Sequence, residues 1–323
     1  MAIYTGTSKH LGGTEKVTSK QQFFYGLVQK NVLVTGAHGQ LGSELKKLSE
    51  QVGLPFRFLF TDADSLDITD IDQVDRYVVH HAVPYIINCA GYTAVDKAET
   101  EREKAFAVNA AAVENVARVA RDRGAKLIHL STDFVFDGQA TTPYTEAIEP
   151  HPLSVYGESK LKGEEALQAV GGDWLIIRTS WLFSRFANNF VKTMIRLMKE
   201  RERLTVVDDQ RGSPTYAADL AEMIVHILQY TEEHQEWKNG IYHFANRGET
   251  SWFDFARAIQ QLAGIEGCEV LPISTKEYGS SAPRPAYSVL DSSKIRDTFH
   301  VEIPGWEEAL ERCIREIKDK RED

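Results

Sequence analysis

Residues 31–42 read N-V-L-V-T-G-A-H-G-Q-L-G, and this stretch decides how the rest of the chain is read. Val32, Leu33 and Val34 are the β-branched and aliphatic run of a buried strand. Gly36, Gly39 and Gly42 follow, and Leu41, Leu45, Leu48 and Val52 recur at helical spacing. Strand, glycine-rich turn and helix, in that order, are the setting of a dinucleotide site. Residues without side chains let the turn tighten and let a pyrophosphate approach the backbone, where the N–H groups of the helix start meet its negative charge. A purely structural turn also favours glycine; the flanking strand and helix weight the pattern towards nucleotide binding.

The 323 residues suffice for one large or two modest domains, and 42% hydrophobic residues supply a core. The formal net charge of −10 argues against a nucleic-acid partner, which requires a basic face. No apolar run reaches the length of a membrane span. Cys89, Cys268 and Cys313, odd in number and far apart, suit the reduced thiols of a cytoplasmic protein and form no metal-ligand spacing. Residues 1–30 set Lys9, Lys16, Lys20 and Lys30 against a single acid, Glu15, in a segment rich in Thr, Ser, Gly and Gln. They are expected to be a disordered leader or an added extension outside the fold.

Beyond the first helix, residues 56–60 read as the second strand. Asp62 lies about 20 residues past the glycines, where a carboxylate accepts hydrogen bonds from an adenosine ribose; an ordinary loop aspartate is the alternative. A strand at 85–89 runs into Asn88-Cys89-Ala90-Gly91-Tyr92. Ala105, Val108, Ala112, Val116 and Val119 form one helical stripe that closes at Gly124. The strand at 126–130 delivers Ser131, Thr132 and Asp133 at its C-terminal end, where open α/β sheets hold their ligands. The alternation continues with helices expected over 156–169, 189–202, 217–230, 251–262 and 306–318, and strands over 174–178, 204–207 and 241–244. Beyond 270 the chain reads as loop-rich up to its last helix.

The second decisive stretch, residues 154–160, reads S-V-Y-G-E-S-K. Tyr156 and Lys160 are four apart and share a helical face. A phenol of ordinary pKa near 10 is a poor acid–base group at neutral pH, and a neighbouring ammonium is expected to favour the phenolate. Thr132 offers a hydroxyl to a substrate carbonyl oxygen that Tyr156 protonates. A solvated surface pair is the ordinary reading of Y-x-x-x-K; its place after a dinucleotide turn and an S-T-D strand end gives it chemical meaning.

The spacing G-x-x-G-x-x-G resembles the short-chain dehydrogenase/reductase superfamily. The motifs G-A-H-G-Q-L-G, T-A-V-D-K-A-E, S-T-D-F-V-F-D-G, Y-G-E-S-K-L-K-G-E, R-T-S-W-L-F, N-N-F-V-K-T-M, D-D-Q-R-G-S-P-T and R-P-A-Y-S-V-L together resemble the dTDP-4-dehydrorhamnose reductase family within it. The resemblance runs from about Asn31 to the last helix. It implies an α/β fold: a Rossmann-type doubly wound parallel sheet with a smaller, discontinuous C-terminal substrate domain. Residues 31–182, with 204–245 returning, would form the dinucleotide domain, and 183–203 and 246–323 mainly the sugar-nucleotide domain. It implies reduction of the C4 keto group of dTDP-4-dehydro-6-deoxy-L-mannose by NADPH or NADH.

By the same resemblance Thr132, Tyr156 and Lys160 are the catalytic set. The cofactor set is Gly36, His38, Gly39, Gln40, Leu41, Gly42, Asp62, Asp67, Ile68, Ala90, Gly91 and Tyr92, with Tyr156 and Lys160. Asp133, Phe134, Trp181, Asn189 and Arg284 face the substrate, and Asn109 serves the proton relay. Trp181 as a core aromatic and Asn109 as an exposed helix residue are the ordinary readings. The family usually has Tyr where Phe134 stands and is glycine-rich where Ser184, Arg185, Phe186 and Ala187 stand. Some members use magnesium near an acidic subunit contact and some are homodimers; neither a ligand set nor an assembly is legible here. Two rivals share the scaffold. A 4,6-dehydratase or epimerase is the first, but Phe134 after Asp133 leaves no Asp-Glu pair for eliminating water. A non-catalytic subunit like the regulator of methionine adenosyltransferase is the second, and the intact triad disfavours it.

Overall fold

The computed structural model describes residues 29–51 and 53–319. The expected leader lies outside the described residues except for its last two, and Lys30 already opens the first strand. Six strands form the main sheet: β1 (Lys30–Thr35), β2 (Phe56–Thr61), β3 (Tyr85–Asn88), β4 (Lys126–Thr132), β5 (Trp174–Thr179) and β6 (Gly240–His243). Their order is β2-β1-β3-β4-β5-β6, and every pairing is parallel. The chain steps outward from β1 to β2 and then back past β1 to β3. That reversal opens a crevice at the C-terminal ends of β1 and β3.

A parallel sheet needs cover on both faces, and β1 has the sequence for it. Val32, Leu33 and Val34 are each fully buried, and their side chains alternate between two cores. Val32 and Val34 join Leu41 and Leu45 of α1 (Gln40–Ser49) and Leu220, Ile224 and Ile227 of α6 (Ala217–His234). Leu33 joins Val74 and Val78 of α2 (Ile71–His80), Val113 and Val116 of α3 (Ala112–Arg123) and Leu167 of α4 (Val155–Val170). Each such aliphatic side chain contributes about 1.5–3 kcal/mol when fully buried. Helix α2 has no decisive motif: it buries only Val74 and Val78, and Asp70 caps it by accepting from the N–H groups of Asp72 and Gln73.

A third core lies beyond β5. Phe183 and Tyr216 meet Val191, Ile195 and Met198 of α5 (Phe190–Glu200), Phe255 and Ile259 of α7 (Trp252–Ala263), and Leu310 and Ile314 of α8 (Trp306–Asp319). The sequence predicts a return to the dinucleotide domain at residue 204. Instead Arg203–Val207 pairs in parallel with Glu269–Ile273, and Leu204 and Val206 enter this third core. Re-entry to the main sheet comes with α6. The partner strand is hidden in the sequence by Pro272, which removes a ladder donor and is tolerated only because each strand of this two-stranded sheet has a free edge.

The helical stripe before Gly124 holds one irregularity. Between Arg102–Phe106 and α3, the backbone widens into a π-helical turn at Ala107–Ala111. This turn packs on α4 at Gly163, where an added Cβ would lie 2.0 Å from the carbonyl oxygen of Asn109. No rotamer change relieves a clash with backbone. Gly163→Ala is expected to push α4 off the turn and cost about 1–3 kcal/mol or more. Urea unfolding with an unchanged midpoint would show that the two helices have room to part.

Candidate active site

The glycine turn is built by close approach. Gly36 has φ +68°, and an added Cβ would sit 2.7 Å from the backbone nitrogen of Ala90. At Gly42 an added Cβ would lie 2.5 Å from the Gly36 carbonyl oxygen and 2.6 Å from the Cα of Ala37, so the helix start seats directly on the turn. Gly39 caps α1 with no side-chain acceptor, which leaves the first-turn N–H groups their donor capacity. Leu41 is turned into the core and offers only its backbone. The amide of Gln40 is tied to the carbonyl of Leu182, 3.2 Å away.

At the end of β2 the Asp62 carboxylate accepts from the backbone N–H of His38 (2.8 Å) and of Ala63 (3.0 Å). These bonds hold the carboxylate beside the glycine turn. Asp67 spends one oxygen on the N–H and hydroxyl of Thr69 (2.9 and 2.7 Å), and Ile68 points into the core. An adenine would therefore meet Ile68 only through its backbone. Beyond β3, the N–H of Tyr92 donates to Asn109 Oδ1 (2.8 Å), while Asn109 Nδ2 donates to the Tyr92 carbonyl and to Ser159 Oγ (both 3.0 Å). Asn109 is buried rather than exposed, and its side chain holds the Gly91–Tyr92 segment against α4.

Thr132 ends β4, and α4 starts at the Ser154 cap, whose hydroxyl accepts from the N–H of Gly157 (3.2 Å). This brings Tyr156 into the first turn, with its phenol beside the Thr132 hydroxyl. The Thr132 hydroxyl also donates to Asp133 Oδ1 (3.1 Å) and accepts from the N–H of Phe134 (3.2 Å). The Phe134 ring packs edge-on against Tyr156, 5.5 Å between centroids.

The electrostatics correct one expectation. Burial pushes the Tyr156 phenol up to about 12; Asp133 adds to the rise and the Thr132 hydroxyl opposes it. Lys160 is engaged elsewhere. Its ammonium donates to the Leu130 carbonyl at 2.6 Å, on the β4 backbone. Burial lowers Lys160 to about 8, against the pull of Glu164 and Cys89. The protein alone thus holds Tyr156 in its proton-bearing form, the form a general acid needs. Burial also raises the Asp133 carboxyl to about 6, opposed by the nearby hydroxyls of Ser288 and Thr132.

Beside this group lies a cavity of about 680 Å³ walled by Phe134, Trp181, Phe190, Trp252, Arg284 and Ser288, among others. Trp181, at φ +46°, stacks face to face on Trp252 with centroids 3.5 Å apart and planes 9° from parallel. Trp252 was not foreseen: its position directly after Thr250-Ser251 reads as a helix cap, and Ser251 does accept from the N–H of Asp254 (3.0 Å). Arg284 reaches the cavity wall already paired, its Nη2 2.7 Å and Nη1 3.1 Å from the two oxygens of Asp96. That guanidinium is the main reason the Asp96 carboxyl is held down to about 2. Asn189 is the correction on this side. Its Oδ1 caps α5 by accepting from the N–H of Lys192 (3.1 Å), and its Nδ2 donates to the carbonyls of Ser184 (2.6 Å) and Phe186 (3.2 Å). The amide is spent on the cap, as Asn at that position favours.

Magnesium finds no support in the donor set: among the described residues, no group of three or more His, Cys, Asp or Glu side chains is placed to hold a metal ion. No helix among them is long and apolar enough to cross a membrane.

A family model described as the RmlD substrate binding domain matches residues 30–319. The dTDP-4-dehydrorhamnose reductase of Aggregatibacter actinomycetemcomitans is 42% identical over 284 residues, covering 86% of this chain and 96% of that protein. The spore coat polysaccharide biosynthesis protein SpsK of Bacillus subtilis is 39% identical over 285 residues, 88% of this chain and 97% of that one. A crystal structure of dTDP-4-dehydrorhamnose reductase from Bacillus anthracis, in complex with NADP, superposes with a TM-score of 0.83 at 43% identity, covering 90% of this chain and all of the other.

The buried Asp133 generates a pH signature. Its carboxyl is raised in the folded protein from 3.8 to about 6. Below both values it is protonated in both states and carries no penalty. As pH rises through this window the unfolded chain loses the proton first, so folded stability falls and stays reduced above 6. Asp133→Asn keeps the shape and removes the charge, and is expected to be the more stable protein at pH 8 by up to about 3 kcal/mol. The gain should vanish below about pH 4. Urea unfolding at the two pH values checks this; a difference independent of pH would remove burial of the charge as its cause.

Proposed function

This chain belongs to the RmlD family of dTDP-4-dehydrorhamnose reductases, and from that premise we propose that it reduces the C4 keto group of dTDP-4-dehydro-6-deoxy-L-mannose to give dTDP-L-rhamnose. The observation that carries the reading is Thr132 and Tyr156 brought side by side, with Lys160 one turn on and the tryptophan-walled cavity next to them.

The residues present fit a nicotinamide dinucleotide. The Gly36–Gly42 turn is one that side chains would fill, and the α1 N-terminus offers N–H donors to a pyrophosphate. This reading gives Asp62 the ribose diol, with Ala90, Gly91 and Tyr92 on the far side. When bound, the reduced nicotinamide supplies a hydride to the carbonyl carbon. The chain supplies the rest. Tyr156 gives its phenolic proton to the C4 oxygen, and the Thr132 hydroxyl steadies that oxygen as charge develops on it. Lys160, held on the Leu130 carbonyl, would offer its positive charge to the nicotinamide ribose. Trp181 and Trp252 offer a flat apolar wall to the 6-deoxy sugar, and Arg284 a planar fork to the diphosphate once its pairing with Asp96 is shared. Phe134 leaves the sugar without the hydroxyl that a Tyr would present.

A nucleotide sugar is the only partner this reading requires, with neither nucleic acid nor membrane. Cytoplasmic residence belongs to it, since Cys89, Cys268 and Cys313 are all free thiols.

The direct test is oxidation of NADPH or NADH on addition of dTDP-4-dehydro-6-deoxy-L-mannose. A folded, cofactor-binding chain that left this substrate untouched would overturn the proposal. Tyr156→Phe keeps the ring but deletes the proton, and single-turnover reduction is expected to slow by about 10²–10⁴-fold. Reduction at the wild-type rate would dismiss Tyr156 as the acid. For cofactor choice, a carboxylate beside the ribose accepts from a 2′-hydroxyl and repels a 2′-phosphate. NADH is therefore expected to compete with NADPH, and Asp62→Ala to tilt kcat/KM towards NADPH. A strong NADPH preference that the substitution leaves unmoved would take Asp62 off the ribose.

A further inference from the structure

Behind the acid site lies an ion pair that the chemistry above does not use. Glu164 stands one helical turn beyond Lys160 on α4, and Arg178 is on β5; both side chains are buried, at 0% and 2% exposure. Arg178 Nη2 lies 2.6 Å from Glu164 Oε2, and its Nε 3.0 and 3.2 Å from the two oxygens. The same carboxylate accepts from Ser131 Oγ at 2.5 Å. Ser131 and Arg178 are register partners across β4 and β5, and the next pair is Thr132 with Thr179. One carboxylate therefore ties the catalytic helix to the two strand ends that carry Thr132 and lead on to Trp181.

A buried ion pair rarely adds stability over apolar packing of the same volume, because desolvation offsets the attraction. Stability alone is thus a poor account of this one. The titratable and charged groups around Lys160 supply another. From just past β3 it is faced by Cys89, from β4 by His129, and from its own helix by Glu164. Burial pushes the Cys89 thiol up to about 12 and holds His129 well below its ordinary value, so both are neutral near pH 7. Among these groups Glu164 alone carries a charge opposite to that of Lys160. We propose that Glu164 is a positioning residue for the reductase site: it locks α4 to the ends of β4 and β5 and keeps the buried Lys160 cationic where the cofactor ribose must meet it. The catalytic part of this inference rests on the reductase reading; the hold of Glu164 on Lys160 does not.

The test uses Glu164→Gln, which keeps the shape, and Glu164→Gln with Arg178→Met, which leaves no stranded guanidinium. Three readouts are followed against pH on the full chain: the Lys160 titration by NMR of ¹³C-labelled lysine, assigned with Lys160→Met; NADPH binding by fluorescence; and single-turnover reduction. Glu164→Gln, which leaves Arg178 charged, is expected to titrate Lys160 lower by about one pH unit or more, and the double variant to titrate it lower by less. NADPH affinity should begin to fall at a correspondingly lower pH, with reduction slowed in step. If the single variant fails to fold, the double variant carries the same readouts. Variants that melt earlier yet keep the wild-type Lys160 titration and the wild-type pH dependence of NADPH binding would reduce the pair to a structural strut and overturn the proposal. A wild-type chain that binds NADPH but leaves the sugar nucleotide unreduced would overturn the reductase reading, while the Lys160 titration of the variants would still support or refute the hold of Glu164.

Discussion

The structure rests on a parallel sheet covered on both faces. Because Val32 and Val34 face one core and Leu33 the other, no polar ligand can approach β1 from above or below. Only the strand ends stay open, where the helices have not begun and backbone N–H groups still lack partners. The glycine turn, Asp62, the Gly91–Tyr92 segment and Thr132 all lie at such ends. Strand order then selects among them, since the chain reverses between β1 and β3.

Desolvation is the force that makes this edge chemical. It raises the Tyr156 phenol and the Asp133 carboxyl and lowers the Lys160 ammonium, in each case disfavouring the charged form. For a general acid that direction is useful. For the Lys160 cation it is not, and the buried carboxylate of Glu164 opposes it. The site carries groups that a core built for stability alone would exclude.

The two halves of the site meet through few contacts of different kinds. Trp181, two residues past β5, lies flat on Trp252 at the start of α7. Arg284 and its neighbours Ser281 and Ala282 converge on Asp96, which comes from the T-A-V-D-K-A-E segment near the dinucleotide side. An apolar stack and an ion pair thus bracket the cavity, with Phe134 and Ser288 between them.

Local pattern by itself determined the strands of the main sheet, the glycine turn and most helices, and singled out Thr132, Tyr156 and Lys160 as candidates, because strand and helix periods, capping residues and short motifs are properties of neighbours in the chain. What the sequence left open depends on distant residues. The π-helical turn at Ala107–Ala111 leaves no mark in the sequence spacing, yet it sends Ala105 to a different core from Ala112, Val116 and Val119. Glu269–Ile273 is a strand because Arg203–Val207 lies beside it, against the local signal of Pro272. Asn189 has the residue type of a ligand contact, yet the carbonyls of Ser184 and Phe186 claim its amide. Lys160 shares a helical face with Tyr156, but its ammonium goes to Leu130 and its charge is answered by Glu164, because burial left those as the strongest partners within reach. Spacing along a helix says which side chains share a face; only tertiary packing says which atoms they touch.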